Sequence, residues 1–314
     1  LGNFILVLAN ASYDPVIYQV LQQRLYDEYH KLSNNKSGNN KAETADRQVF
    51  SRLVATGLEQ LHTRQVRQLG PWSIQFNQLR SFRPTRMSEV YLDSISSPFN
   101  PDGFHFNRAF LENETLWQGQ LAGSYCRLLY NKFPFADYHS ILVIEPADKL
   151  PQFLSQVAHE YIWRLGESLG NRLPAIGFGY NAYGAGASVN HQHFQMYVRQ
   201  DGVYPVEDKR WQHNGGEEAY PLKCYREASC DAAWRMIAQL HDANMTYNLI
   251  YRPGLMYIIP RRFQGQFEFA HWMTGMGWAD VAGEVTAFSR EDYGRIERTE
   301  LENQLRRAKL QDTR

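Results

Sequence analysis

The chain has 314 residues, long enough to bury a sizeable core and to hold about two domains or two repeats. Its 43% hydrophobic and 21% charged residues are the proportions of an ordinary soluble globular protein, not of a disordered or membrane-embedded one. Lys plus Arg and Asp plus Glu both number 33, so the formal net charge is zero, and neither nucleic acid nor an anionic membrane is indicated as a partner.

Taken in chain order, the first segment is the apolar run Leu1–Ala9, too short to span a bilayer and without the basic stretch of a signal peptide. Val16, Ile17, Val20, Leu21, Leu25 and Tyr29 fall at helical spacing and predict a helix over 14–31. A polar, Gly/Asn-rich loop follows at 32–43. Val49, Leu53, Leu58 and Leu61 predict a second helix over 44–69, and Pro71 introduces the extended stretch Trp72–Asn77. Residues 80–110 are dense in Pro, Gly and Asn and read as an irregular arm. The arm's Arg80, Arg83 and Arg86 read either as phosphate ligands or as a solvated surface.

Two strands are expected over 123–145, a helix over 150–169 and a strand over 175–180. The unit strand, Pro-containing turn, strand, Pro appears first at Tyr130-Asn131, Ile141–Ile144 and Pro146. It appears again at Tyr247–Arg252, Leu255–Ile259 and Pro260, which suggests an internal duplication. The Arg/Glu-rich stretch from about 291 reads as an exposed helix. The 3 cysteines show neither zinc-finger spacing nor an even count for a disulfide framework, so a reducing, cytoplasmic setting is expected, with Cys126 in the core.

The densest chemistry lies in Gly184–Gln195. A loop of small residues, whose N–H groups can approach an anion, runs into His191-Gln192-His193-Phe194-Gln195. If this segment is a strand, His191, His193 and Gln195 share one face. Two imidazoles and an amide beside an anion-binding loop suit nucleophilic attack on a phosphorus. As zinc ligands the two histidines would need further partners, and Cys224, Cys230, His213 and His241 show no ligand spacing.

With Gly186–Asn190 before it, His191-x-His193-x-Gln195 resembles the active site of the histidine-triad superfamily, in its nucleotidyltransferase and phosphorylase branch. The segments Asn131–Phe135, His139–Pro146, Tyr247–Ile250 and Ile259–Arg262 are similar to the strand pairs of that branch. Asn77–Pro84, Pro98-Phe99 and Phe104–Asn107 resemble the arm of GDP-D-glucose phosphorylase-like proteins; diadenosine tetraphosphate phosphorylases and galactose-1-phosphate uridylyltransferases are more distant likenesses.

The resemblance implies an α+β fold of two histidine-triad-like repeats, antiparallel sheets packed with helices. It implies His193 as the nucleophile, its ring held by a backbone carbonyl. His191 would orient the loop or touch phosphate, and Gln195 would donate to a phosphate oxygen. Gly186, Ala187, Ser188, Asn190 and Arg83 are candidate phosphate or nucleotide ligands. Asn131 and Lys132 join them, or are ordinary turn residues. Glutamine at 195 cannot act as an acid, which by resemblance goes with transfer to phosphate instead of water. The expected substrates are a nucleoside diphosphate sugar and inorganic phosphate, with no cofactor and no metal. Splitting of a dinucleoside polyphosphate, uridylyl exchange, or a non-catalytic nucleotide sensor are the alternatives.

The expected organisation is a helical region over 1–71, the arm and a catalytic first repeat over 72–200, a non-catalytic second repeat over 201–290 and a charged helix over 291–314. His139 reads as a capping or loop residue, and Arg261 and Arg262 as surface.

Overall fold

A computed structural model describes residues 1–34, 45–83, 91–199 and 202–311. Most of the polar loop expected at 32–43, and Arg86, lie outside the described residues; 32–34 are the end of a helix.

Helices α1 (Gly2–Tyr13), α2 (Pro15–Asn34) and α3 (Ala45–Thr56) open the chain. They pack through Phe4, Ile5, Leu8, Leu25, Val49 and Leu53 into a core of their own. The helix expected over 44–69 is half as long as predicted. It stops before Gly57, whose φ of 84° is left-handed, and the rest becomes a 3-10 turn and then strand β1 (Gln65–Leu69). That strand forms a hairpin with β2 (Trp72–Phe76), so long-range pairing overrode a local helical spacing. The one-turn helix α4 (Gln78–Ser81) follows, capped by Asn77, whose Oδ1 accepts from the N–H groups of Leu79 and Arg80.

The two expected strands are β4 (Ser124–Tyr130) and β5 (Ser140–Ile144), preceded by the edge strand β3 (Thr115–Leu121). Helix α5 (Gln156–Gly170) starts six residues later than predicted, because Phe153 N–H turns back to the Pro151 carbonyl and Ser155 supplies the N-cap, accepting from Ala158 N–H. Then come β6 (Ile176–Asn181), β7 (Phe194–Val198), β8 (Tyr225–Glu227), helix α6 (Cys230–Asp242), β9 (Tyr247–Arg252) and β10 (Leu255–Pro260). The chain ends in α7 (Trp278–Val281), β11 (Glu284–Ala287), α8 (Arg290–Arg295) and α9 (Arg298–Arg307). The C-terminal stretch is therefore two helices. It is not exposed all round, since Leu301 and Leu305 are buried against the core.

The fold is α+β. One antiparallel eight-stranded sheet runs in the order β3-β4-β5-β7-β6-β9-β10-β8, and a three-stranded sheet runs β1-β2-β11. The two strand-turn-strand units do not form separate sheets; β6 pairs with β9 and makes them one. Helices α5 and α6 cover one face, where Ile162, Leu165 and Ile237 meet Phe178, Phe194 and Leu249. On the other face Tyr197, Ile250, Ile259 and Trp278 share a core with Trp72, Val285 and Leu301. Within β7 the alternation is that of a strand: Phe194 and Met196 go to the helices, while Tyr197 goes to the opposite core. Gln195, of the same parity as Tyr197, is thereby sent to the face away from the helices, where the site lies.

Candidate active site

The site begins with a correction. His191 and His193 are not in a strand: they form an extended bend just before β7, whose first residue is Phe194. The bend separates the two imidazoles. His191 turns to the arm, where the Phe106 N–H donates to its Nδ1 at 3.1 Å and the Phe106 ring stacks on it at 5.8 Å. His193 turns instead to a cavity of about 460 Å³ that it lines with Gln195, Ser188, Asn131, Lys132 and Arg83.

The His193 ring is fixed by its own neighbourhood. Its Nδ1 lies 2.8 Å from the main-chain oxygen of His191. A carbonyl can only accept, so Nδ1 carries the proton and Nε2 keeps its lone pair. Burial lowers the pKa of His193 to about 4. Burial, together with the nearby His193 and His105, lowers that of His191 to about 4 as well. Both rings are therefore neutral at ordinary pH. The backbone is held equally firmly by Gln152. Its Oε1 accepts from His193 N–H at 2.9 Å, while its Nε2 donates to the carbonyls of Asn181 and His193 at 2.9 and 3.2 Å. Gln152 carried no signal in the sequence, because its role is defined by backbone groups from distant segments.

Gln195 is half-buried at the junction of that cavity with a second one of about 240 Å³. The two differ in chemistry. The first has Phe104, Phe106, Phe110, Leu111 and Val189 in its walls; the second has Arg52, Arg80 and Arg83 with, among the described residues, one acidic residue, Asp280. Arg83, Phe135, Ser188 and Gln195 belong to both. Asp280 sits where burial raises its pKa to about 6, against the pull of the Gly277 N–H and the Arg80 charge. Arg80 is not a solvated surface residue: it donates to the Phe133 carbonyl and lies 4.4 Å over the Phe135 ring.

The small-residue loop folds under the second cavity. Gly186 has φ of 89°, and a Cβ there would meet the Met276 carbonyl oxygen at 2.3 Å, so only glycine fits. Ser188 reaches both cavities, while Gly186 lines only the second. Asn190 serves the scaffold: it accepts from Gln152 N–H at 2.9 Å and donates to the carbonyls of Ser97 and Pro98 at 3.0 and 2.8 Å, tying the loop to the arm. Lys132 reaches the first cavity, but its ammonium is paired with Asp46 at 2.8 Å and Glu114 at 3.2 Å.

Two residues read as peripheral are central. His139 is buried, with its Nε2 3.1 Å from Gln195 Oε1. Arg261, expected on the surface, is fully buried and donates to the Met276 carbonyl at 2.7 Å, supporting the wall of the second cavity. Asn181 Oδ1 accepts from Trp278 N–H and Asn248 Nδ2, at 2.7 and 2.8 Å, joining the later strands to the loop. Among the described residues no group of three or more His, Cys, Asp or Glu could hold a metal ion, and no helix is long and apolar enough to cross a membrane.

Comparison with known proteins bears on this geometry. Residues 52–197 match the family model of the GDPGP1-like N-terminal domain. GDP-D-glucose phosphorylase 1 of Danio rerio is 27% identical over 140 residues, which are 45% of this chain; the match spans only 40% of that protein's length. Among solved structures, yeast Ap4A phosphorylase Apa2 superposes with a TM-score of 0.55 at 14% identity, over 87% of this chain and 97% of the yeast one. The same enzyme in complex with Ap4A gives 0.56 at 14% identity, over 86% and 99% of the two chains. Residues 52–197 are thus similar to a GDPGP1-like N-terminal domain, in a chain that shares the fold of yeast Ap4A phosphorylase.

Proposed function

We propose that this chain is a nucleotidyltransferase that phosphorolyses a nucleoside diphosphate hexose, a GDP-hexose first among them, through a nucleotidyl-histidine. The observation that carries the reading is His193: neutral, with Nδ1 bonded to the His191 carbonyl and Nε2 left for attack on the wall of a cavity. The likeness to a GDP-D-glucose phosphorylase favours the guanine nucleotide.

In this reading the first cavity takes the nucleoside against its phenylalanines, and the second takes the remaining phosphate and the hexose against its arginines. The α-phosphate then lies at their junction, beside Ser188 and Gln195. The lone pair on His193 Nε2 forms a bond to the α-phosphorus. The bond from that phosphorus to the bridging oxygen breaks, and the hexose 1-phosphate leaves with the electron pair. The positive charge gained by the ring is stabilised by the His191 carbonyl on Nδ1–H. Inorganic phosphate then attacks the same phosphorus, the N–P bond breaks, and the nucleoside diphosphate leaves with His193 neutral again. Negative charge developing on the α-phosphate oxygens meets the amide of Gln195 and the hydroxyl of Ser188.

The test mixes the protein with GDP-glucose, GDP-mannose, UDP-glucose, ADP-glucose and Ap4A, each with and without phosphate. Nucleotides are read by chromatography, and the intact protein by mass before phosphate is added. A gain of one nucleotide monophosphate, lost on adding phosphate with release of GDP, is the expected result. ADP and ATP from Ap4A would move the substrate to dinucleoside polyphosphates. Binding without mass gain or turnover on any donor would overturn catalysis in favour of a sensor.

A further inference from the structure

We infer that His139 and Trp278 are positioning residues that act through Gln195, holding its side-chain amide so that the N–H groups, and not the oxygen, face the phosphate; this rests on the function proposed above. A free glutamine amide can present either end, and the wrong end would place an oxygen lone pair against phosphate oxygens. Three observations fix the choice.

The indole Nε1 of Trp278 lies 2.8 Å from Gln195 Oε1. An indole N–H only donates, so the atom it faces must be the amide oxygen. His139 Nε2 approaches the same oxygen at 3.1 Å. Which nitrogen of His139 carries the proton is decided on the other side of the ring: the main-chain N–H of Phe135 donates to Nδ1 at 3.2 Å, making Nδ1 the acceptor and Nε2 the donor. Asn131 Nδ2, 3.4 and 3.2 Å from the two ring nitrogens, does not discriminate between them. Both lone pairs of the Gln195 oxygen are therefore engaged, and the amide nitrogen is the end left for the two cavities that Gln195 lines.

Both donors are held in place by the fold. Trp278 stacks on Tyr197 at 4.9 Å and 12°. It lies so close over β6 that a Cβ on Gly179, the residue paired with Gln195, would meet the indole at 2.3 Å. His139 packs edge-on against Phe135 at 4.3 Å and is kept neutral by burial and by the charge of Arg80. A charged imidazolium at this position would also donate, but the Phe135 N–H would then face a second donor.

The experiment is a double-mutant cycle with a spectroscopic arm. Trp278→Phe keeps the ring stack and removes the indole N–H. It is expected to lower kcat on the order of 10- to 100-fold with KM changed less than about twofold, the size of a lost oxyanion donor or somewhat less. In a Gln195→Ala background the same change is expected to cost nothing further in kcat, and His139→Gln, which keeps a donor, to restore most of the activity lost in His139→Leu. An equal kcat loss from Trp278→Phe with and without Gln195, or a loss confined to KM, would overturn the inference. The second arm needs no substrate: histidine ¹⁵N spectra should show His139 as the neutral Nε2–H tautomer from pH 5 to 8, and the Trp278 indole proton should shift in Gln195→Ala. An Nδ1–H tautomer, or an indole signal blind to Gln195, would reject the positioning role even if no donor is turned over. Absence of turnover with the expected spectra would reject the proposed function alone.

Discussion

The two strand-turn-strand units of the large sheet have the same outline and opposite uses. In the first, β4 and β5 are joined by the nine residues 131–139, which bring Asn131, Lys132 and Phe135 to the first cavity and His139 up against Gln195. In the second, β9 and β10 are joined by the tight turn Pro253-Gly254, and Asn248 and Arg261 are buried in support of the site from below. One of the pair opens on a face and lends its loop to the wall of the candidate site beside His193 and Gln195; the other is buried along both its strands and lines neither cavity. The difference shows how two units of like outline can differ in use: a long loop leaves room for a pocket, while a two-residue turn leaves only a scaffold.

The largest effect that would break this division is in the chemistry. His193→Ala is expected to lower kcat on the order of 10⁴-fold or more while the fold and donor binding persist, read by turnover and calorimetry. Activity within tenfold of wild type would take the chemistry away from the cavity that the first unit helps to wall.

Acid should expose the burial of the site's imidazoles in the stability of the fold. Burial holds His193 and His191 near 4 and His139 near 3 in the folded state. The unfolded chain takes up these three protons near pH 6.5 and the folded one does not, so stability falls as pH drops through that window. Asp280, raised to about 6, works against this, because below that pH the folded state binds its proton first. Between about pH 6 and 4 the unfolded state is therefore ahead by two protons from these four groups. These four groups alone should cost about 2.7 kcal/mol of stability per pH unit, and His105, His159, His213 and His241, also lowered by burial, act in the same direction. Urea melts at pH 7, 6 and 5 measure it, and a flat profile would mean that the three imidazoles are not buried neutral.

Asn248→Ala tests the second unit. It removes donors from Asn181 Oδ1 and the Ala185 carbonyl, both bonded at 2.8 Å, and should cost about 2–3 kcal/mol of stability. Turnover per folded molecule should change less than about fivefold; a collapse of kcat at unchanged stability would give this unit a chemical part. The smallest effect is expected at Lys132. With its charge held by Asp46 and Glu114, Lys132→Ala should alter kcat/KM by less than about threefold, whereas a loss of a hundredfold would make it a phosphate ligand.

Much of this was legible in the sequence. The alternation and helical spacing of apolar residues marked β4, β5, α2 and the strand leading to the loop, because both are local consequences of backbone geometry. The spacing of two put His191, His193 and Gln195 on one face, and the structure keeps His193 and Gln195 in one cavity but turns His191 to the arm, because the segment is a bend over His191-Gln192-His193 and a strand only from Phe194. The small-residue loop was also readable, since Gly186 is required by a positive φ and by contact with the Met276 carbonyl.

What the tertiary structure alone decided was which distant group meets each of these residues. Residues 65–69 became a strand because β2 was there to pair with, and Arg261 became a buried strut because the Met276 carbonyl needed a donor. Trp278 reaches Gln195 from 83 positions away and His139 from 56, so no window of sequence contains either hydrogen bond. A local pattern fixes the direction in which a side chain leaves its own backbone. The partner waiting there, and with it the proton on a histidine or the facing end of an amide, is set only when the elements pack.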